Sequence, residues 1–442
     1  MELTATRRWF AVLGYVALYS FAMASLSVRA NDLQEGAEIS AGNWEQMKSQ
    51  TFEGKTIESM VSDKIQMMVR EYGLKITLKH SEPMTYGNAI MDATARYSGQ
   101  VKYDPQTRKV SGYVAGIPFP DYKAIEAAPP EQAGDMLIYN WFYAGVADGD
   151  YTGCYGPYAT LQIDPAKGIE RIQGASATVF RTMGRTSGGP TQVGDDPNVR
   201  KLQVIVFDSP YDIAGLGIYR VVYDDGRVDD LYAYVKSVRR VRRLSGGSWM
   251  DTLAGTDILN DDTYSFTGHP IWYPRIELKE KRWVLWPVHS QPIKTHDLDE
   301  VLDYKNPPYW NFINNAWEPR QVYVIEVTTP DGHPYGKKIT YMDAELPAAL
   351  WTEAYTRSGE FWRIIYSTYG PEPPKPGEGG PALYQLYNFG AWDVRYAHGN
   401  YMDCGQWDSN LQLQVKDISP RLLIDAANGK RIGQKTQFGK GP

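Results

Sequence analysis

Apolar positions recur at three- and four-residue steps in only a few stretches of this chain. Ile57, Met60, Val61, Ile65, Met68, Val69 and Tyr72 keep that period after Thr56 and stop at Gly73, which predicts one amphipathic helix with its own start and end. A second helix is expected from about Glu131 to Ala147, behind Pro129-Pro130, carrying Met136, Leu137, Trp141 and Phe142. A third opens at Ser419-Pro420, where Ser caps and Pro fits the first turn, and closes before Gly429. Most of the remaining pattern has the period of a strand. Val101–Tyr103 and Val110–Tyr113 predict a hairpin around Asp104-Pro105-Gln106-Thr107, and Lys201–Phe207, Tyr219–Tyr223, Arg282–Trp286 and Glu360–Ser367 are β-branched and aromatic runs. Asp224-Asp225-Gly226 turns the chain into one strand over Asp230–Val241, and Gln321–Thr328 faces Lys338–Met342 across Pro330-Asp331-Gly332.

Short strands joined by Asp-Gly turns predict a mainly β protein with helices: a large antiparallel sheet or open barrel. The strand–helix alternation of a doubly wound or (β/α)₈ fold is missing. Pro371–Pro381 is a Pro/Gly-rich loop and Thr186–Pro197 a long connection, but neither divides the chain. The expected organisation is a leader over residues 1–30 and a single β-rich domain over 31–442, with a helical N-terminal segment over 31–81.

The leader is read from Arg7-Arg8, an uncharged apolar run from Trp9 to about Leu26, and Ser27-Val28-Arg29-Ala30. A positive start, an apolar middle and a small-residue cleavage site predict a secretory signal peptide cut near Ala30, hence a periplasmic location. An uncleaved anchor is the alternative, because the run approaches spanning length. Asn31-Asp32-Leu33 holds no cysteine for lipid attachment. Export changes the reading of the two cysteines, Cys154 and Cys404, which become a candidate disulfide in place of two buried thiols. The net charge of −6 gives no general basis for binding nucleic acid.

Candidate chemistry is sparse. The chain holds no Gly-x-Ser-x-Gly elbow, no phosphate loop of the right spacing and no Cys-x-x-Cys, so neither a catalytic set nor a cofactor is expected. His289 with His296-Asp297-Leu298-Asp299-Glu300 offers metal donors, yet a polar loop explains them better. Asp257, Asp261 and Asp262 lack the spacing of a calcium loop and read as turn residues. The strongest local feature is Arg239-Arg240-Val241-Arg242-Arg243 at the end of an aromatic strand. Alternation places Arg240 and Arg242 on one face and Arg239 and Arg243 on the other. Either the run is an edge strand guarded by charge, or its guanidinium forks recognise an anionic head group or an acidic partner.

The same run, extended from Tyr232 to Leu244, then Asp251–Asp257, Asp261-Asp262 and Phe266-Thr267-Gly268, resembles the exported bacterial family catalogued as domain of unknown function 1329. Trp317–Glu326 and Arg357–Arg363 fit it as well, and the resemblance covers roughly Gly112 to Asn428. More distantly, the chain is similar to the periplasmic carriers that sort lipoproteins to the outer membrane. That similarity implies an incomplete barrel: a curved antiparallel sheet whose concave face is covered by helices. The family resemblance implies partners as well, namely a resistance-nodulation-division exporter and an outer-membrane protein.

The resulting expectation is a periplasmic carrier of a lipid or other hydrophobic molecule. A periplasmic hydrolase and a non-catalytic docking subunit are the alternatives. A carrier needs a large apolar cavity on the concave face. The aromatics expected to line it are Trp141, Phe142, Tyr232, Tyr234, Trp272, Trp283, Trp286, Trp310 and Trp362. Arg239, Arg240, Arg242 and Arg243 are the candidates for a head group or partner.

Overall fold

The computed structural model describes residues 32–144, 150–186, 192–235, 239–244, 248–253, 255–291, 298–313, 315–372, 383–404, 407–409, 413 and 418–427. The signal peptide expected over residues 1–30 lies outside them, as do His296, Asp297 and most of the Pro/Gly-rich loop. Among the described residues no helix is long and apolar enough to cross a membrane.

Fourteen strands form one antiparallel sheet. Six of them meander outward from its middle: β1 (Tyr151–Asp164), β2 (Gly168–Arg181), β3 (Val199–Ser209), β4 (Gly217–Tyr223), β5 (Asp230–Val235) and β6 (Arg240–Arg243). The chain then crosses to the far edge and meanders back through β7 (Arg275–Trp286), β8 (Glu318–Thr328), β9 (Lys337–Asp343) and β10 (Ala349–Tyr355). β11 (Phe361–Glu372), β12 (Leu383–Asp393) and β13 (His398–Asp403) complete the return. The hydrogen-bonded order is β6-β5-β4-β3-β2-β1-β13-β12-β11-β10-β9-β8-β7, and a short β14 (Trp407–Ser409) also pairs with β1. The two meanders meet where Leu161–Ile163 pairs with Gly399–Tyr401. Among the described residues the edge strands β6 and β7 do not pair with each other, so the sheet is open there.

The strand expected over Asp230–Val241 is two strands. Val235 pairs with Arg240 and Tyr232 with Arg243, so the chain reverses between them and the arginines form the sheet edge. The helix expected from Thr56 is also divided. A single turn over Ile57–Met60 ends at the extended Val61, and Ser62 then caps a new helix, α1 (Asp63–Tyr72), by accepting from the Ile65 amide at 3.3 Å. Gly73, with φ +72°, ends α1 as expected. α2 (Asn88–Tyr97) has no counterpart in the sequence reading. α3 (Pro130–Ala144) is buried over most of its length and lies against β7. A Cβ at Gly134 would stand 2.8 Å from the Glu277 backbone, so glycine permits that approach. α4 (Arg421–Ala427) is the helix expected after Pro420.

Both faces of the sheet are covered. On the outer face Tyr366 and Trp392 pack under Phe312, Tyr341 stacks on Trp351, and Ser62 bonds Glu353 at 3.1 Å. Further along, Leu202, Val204 and Val206 of β3 pack with Leu423 of α4. The inner face is crossed by the connection from β6 to β7, which rests on β10, β11 and β12 through the turn Asn260–Ser265.

Candidate functional site

A crevice opens on the inner face between β1–β4 and this crossing segment. The period of two on β3 places Leu202, Val204 and Val206 outward and leaves Lys201, Gln203, Ile205 and Phe207 to line the crevice. Its most apolar part is a small slot that opens to solvent. Ala159, Ala175 and Ala177 form its floor with Ile205 and Phe207, and Leu253, Tyr264, Phe389 and Met402 form the sides. Three alanines supply this space: they sit on strands where larger residues would fill it.

The other end of the crevice is basic. Arg181, Arg200 and Lys201 line it with Trp141, Phe142, Tyr151 and Phe266, and Arg220 lines the adjoining section with Leu231. No described carboxylate lines either section or the slot. The guanidinium of Arg220 is answered by Asp229 at 2.6 Å, that of Arg200 lies 3.7 Å over the Phe142 ring and donates to the Phe142 carbonyl, and Arg181 donates to the Tyr143 carbonyl at 3.0 Å. Burial, and then the neighbouring Arg200, Arg220 and Arg181 charges, push the Lys201 ammonium well below its usual range.

The crossing segment is held down by buried charge. Lys338 of β9 reaches both Asp261 and Asp262 at 2.7 Å. Asp261 also accepts from the Tyr273 hydroxyl at 2.8 Å and His333 at 3.1 Å, while Asp262 accepts from the Tyr335 hydroxyl at 2.6 Å. Asp261, Asp262 and Lys338 are completely buried. The two aspartates read from sequence as turn residues therefore anchor the segment across the sheet. Tyr264, the next aromatic along it, has φ +57° and borders all three sections of the crevice.

Of the nine aromatics expected at the site, Trp141 and Phe142 line the crevice. Tyr232 and Tyr234 pack on the outer face with the α4 cluster. Trp286 stacks on Trp351 at 4.6 Å and Trp310 is buried beside Gly399, both within the main core. Trp272 bonds the Gly226 carbonyl at 2.8 Å, Trp362 donates to Asp393 at 2.9 Å, and Trp283 is half-exposed with the Lys55 ammonium 4.0 Å over its ring. The space is thus a narrow crevice and not the single large aromatic-lined cavity expected. Most of the large rings fill the protein's own core instead.

Arg240 pairs with Val235 and Arg242 with Ala233, so both share the inner face, while Arg243 turns outward to bind Asp230. Arg239 is exposed, with φ +50°. Cys404 is buried and disulfide-bonded, and the side chain of Cys154 lies outside the described residues. Sequence reasoning missed Lys201, the alanines, Tyr264 and Lys338. The available signal for Lys338 was its alternation with the buried Thr340 and Met342, which puts a charge at an interior position.

His269 sits behind the basic end, 4.9 Å from the Phe142 ring, donating to the Asp224 carbonyl. Burial pushes its pKa down to about 4. The unfolded chain takes up this proton below about pH 6.5, so stability falls as pH drops from there to about 4, by roughly 3 kcal/mol. Urea titrations across that window should show the loss, and His269→Gln should flatten it. An unchanged slope in the variant would assign the loss to other groups.

The chain belongs to the family described as protein of unknown function DUF1329, whose model matches residues 38–411. No curated protein matches it. Among solved structures it is similar to a DUF1329 family protein from Desulfovibrio piger, at 14% identity and TM-score 0.44 over 67% of this chain and 100% of that one. It is also similar to a domain named for outer membrane lipoprotein sorting from Vibrio parahaemolyticus (13%, TM-score 0.40, 62% of this chain and 92% of that one). A LolA superfamily protein from Nitrosomonas europaea is a third (13%, TM-score 0.38, 67% of this chain and 100% of that one). The class is mainly β, a large antiparallel sheet with helices.

Proposed function

We propose that this protein is an exported carrier that binds a hydrophobic molecule in the inner-face crevice. The observation that carries the reading is the alanine-floored slot, walled by Leu253, Tyr264, Phe389 and Met402. Affinity would come from burial of the ligand's apolar surface, about 25 cal/mol per Å² before ordering costs. The leader pattern and the disulfide-bonded Cys404 support a periplasmic site of action. Delivery to an envelope exporter and its outer-membrane partner is the role that the family resemblance implies.

Ala177 is nearly buried on the floor of the slot and pairs with Ile205 of β3. Ala177→Trp places an indole in the space a ligand would use. The expected result is loss of binding of an environment-sensitive apolar dye, with the far-ultraviolet circular dichroism unchanged. Native mass spectrometry of protein purified from the periplasm should show an apolar adduct that the variant lacks. Equal dye binding by the two proteins would remove the slot as the site.

A further inference from the structure

Resting on the carrier reading, we infer that the ligand is an anionic amphiphile: an apolar chain in the alanine-floored slot and an acidic head group at Lys201. The charge census of the crevice carries this inference. Arg181, Arg200, Lys201 and Arg220 line it, and no described carboxylate does. Three of the four already hold protein groups. Arg220 is paired with Asp229, Arg200 is held by Phe142, and Arg181 donates to Tyr143. Lys201 has no hydrogen-bond or ion-pair partner among the described residues, although it stands half-buried in the middle of the basic group. A half-buried ammonium with three guanidinium neighbours and no ion-pair partner among the described residues, the nearby Asp229 being taken up by Arg220, is costly unless an anion joins it. The depression of its pKa records that cost.

Geometry links head to tail. Lys201 begins the row that continues along β3 through Gln203, Ile205 and Phe207 on one face, so a strand's rise leads from the ammonium into the slot. The basic character extends to the free edge. Arg242 pairs with Ala233, which pairs with Ile218, and Ile218 lines the crevice. Arg240 and Arg242 are exposed on that same face, where they supply a positive rim to steer an anion inward.

The test compares four single-chain ligands of matched tail length below their micelle concentrations: palmitate, palmitoyl lysophosphatidate, hexadecanol and hexadecyltrimethylammonium. Each competes with a neutral apolar dye on the full mature chain stripped of lipid. The expected result is that at least one anion competes about 10- to 100-fold better than hexadecanol, as befits one desolvated charge-assisted contact. Palmitate ahead of lysophosphatidate identifies a fatty-acid carboxylate, and the reverse order a phospholipid head. Lys201→Met keeps the apolar stem and should collapse the anion-to-alcohol ratio towards one. Dye binding with all four ligands equal, or with the ammonium ligand ahead, would overturn the anionic head while sparing the carrier. A wild-type protein that binds no dye would overturn the carrier reading, and this inference with it.

Discussion

Lys338→Met should cost about 3–5 kcal/mol of folding stability, because it removes the only cation that contacts two fully buried carboxylates among the described residues. Against the opposing effect of burial, the Lys338 ammonium and the His333 ring hold Asp261 well below the usual carboxylate range. Without Lys338 the two aspartates must stay buried unpaired or take up protons. A group with a depressed acidic pKa stabilises the fold above its ordinary value, near pH 4, and that contribution fades as pH falls towards the folded pKa. The wild-type protein should therefore lose stability progressively below pH 4, and the variant should lose less over the same range. Chemical denaturation at pH 7 measures the first effect. Adding Asp261→Asn and Asp262→Asn to Lys338→Met should recover part of the loss, since neutral amides replace uncompensated charge. A loss under about 1 kcal/mol for the single variant would show that water reaches the cluster and that the crossing segment is held by packing alone.

The second large effect belongs to the sulfurs. Cys404 is disulfide-bonded and Cys154 is the only other cysteine in the chain. Labelling of the unfolded, unreduced protein should find no thiol, and reduction should lower stability by about 2–5 kcal/mol, the upper values following from the long loop in the chain-entropy account. A bond from Cys404 to Cys154 would tether the chain just past β13 to β1, the first strand of the sheet. Two labelled thiols per unreduced molecule would refute it.

The sheet was legible where β-branched residues carry it. Lys201–Phe207, Tyr219–Tyr223 and the pair Gln321–Thr328 and Lys338–Met342 all fall inside observed strands. The two longest strands, β1 and β2, gave no such signal. Gly153, Gly156, Pro157, Ala159, Ala175 and Ala177 lie in them, and small residues have little strand propensity. Some of those same residues make the slot, so an empty volume is encoded by the absence of bulk and leaves no positive pattern to read. The aromatics misled for the converse reason. Trp286 and Trp310 are buried in the protein's own core, and composition does not distinguish a core from a cavity wall. The anchor escaped because Lys338 and Asp261 meet only through the crossing of the sheet. The Arg run forms the sheet edge with Arg240 and Arg242 on one face, and the hairpin that puts it there left no signal in the alternation.

The meeting of the two meanders also dictates an order of events during synthesis. β1 lies in the middle of the sheet, yet its neighbour β13 is made only after all of β2–β12. Until then the outward meander can form from local hairpins, but β1 keeps one side without a partner. The nascent chain therefore carries an unsatisfied strand for most of its translation, next to a row of small residues on which another extended segment can easily settle. For this architecture the hazard is one of timing: a holding chaperone is of most use between the emergence of residue 151 and that of residue 403.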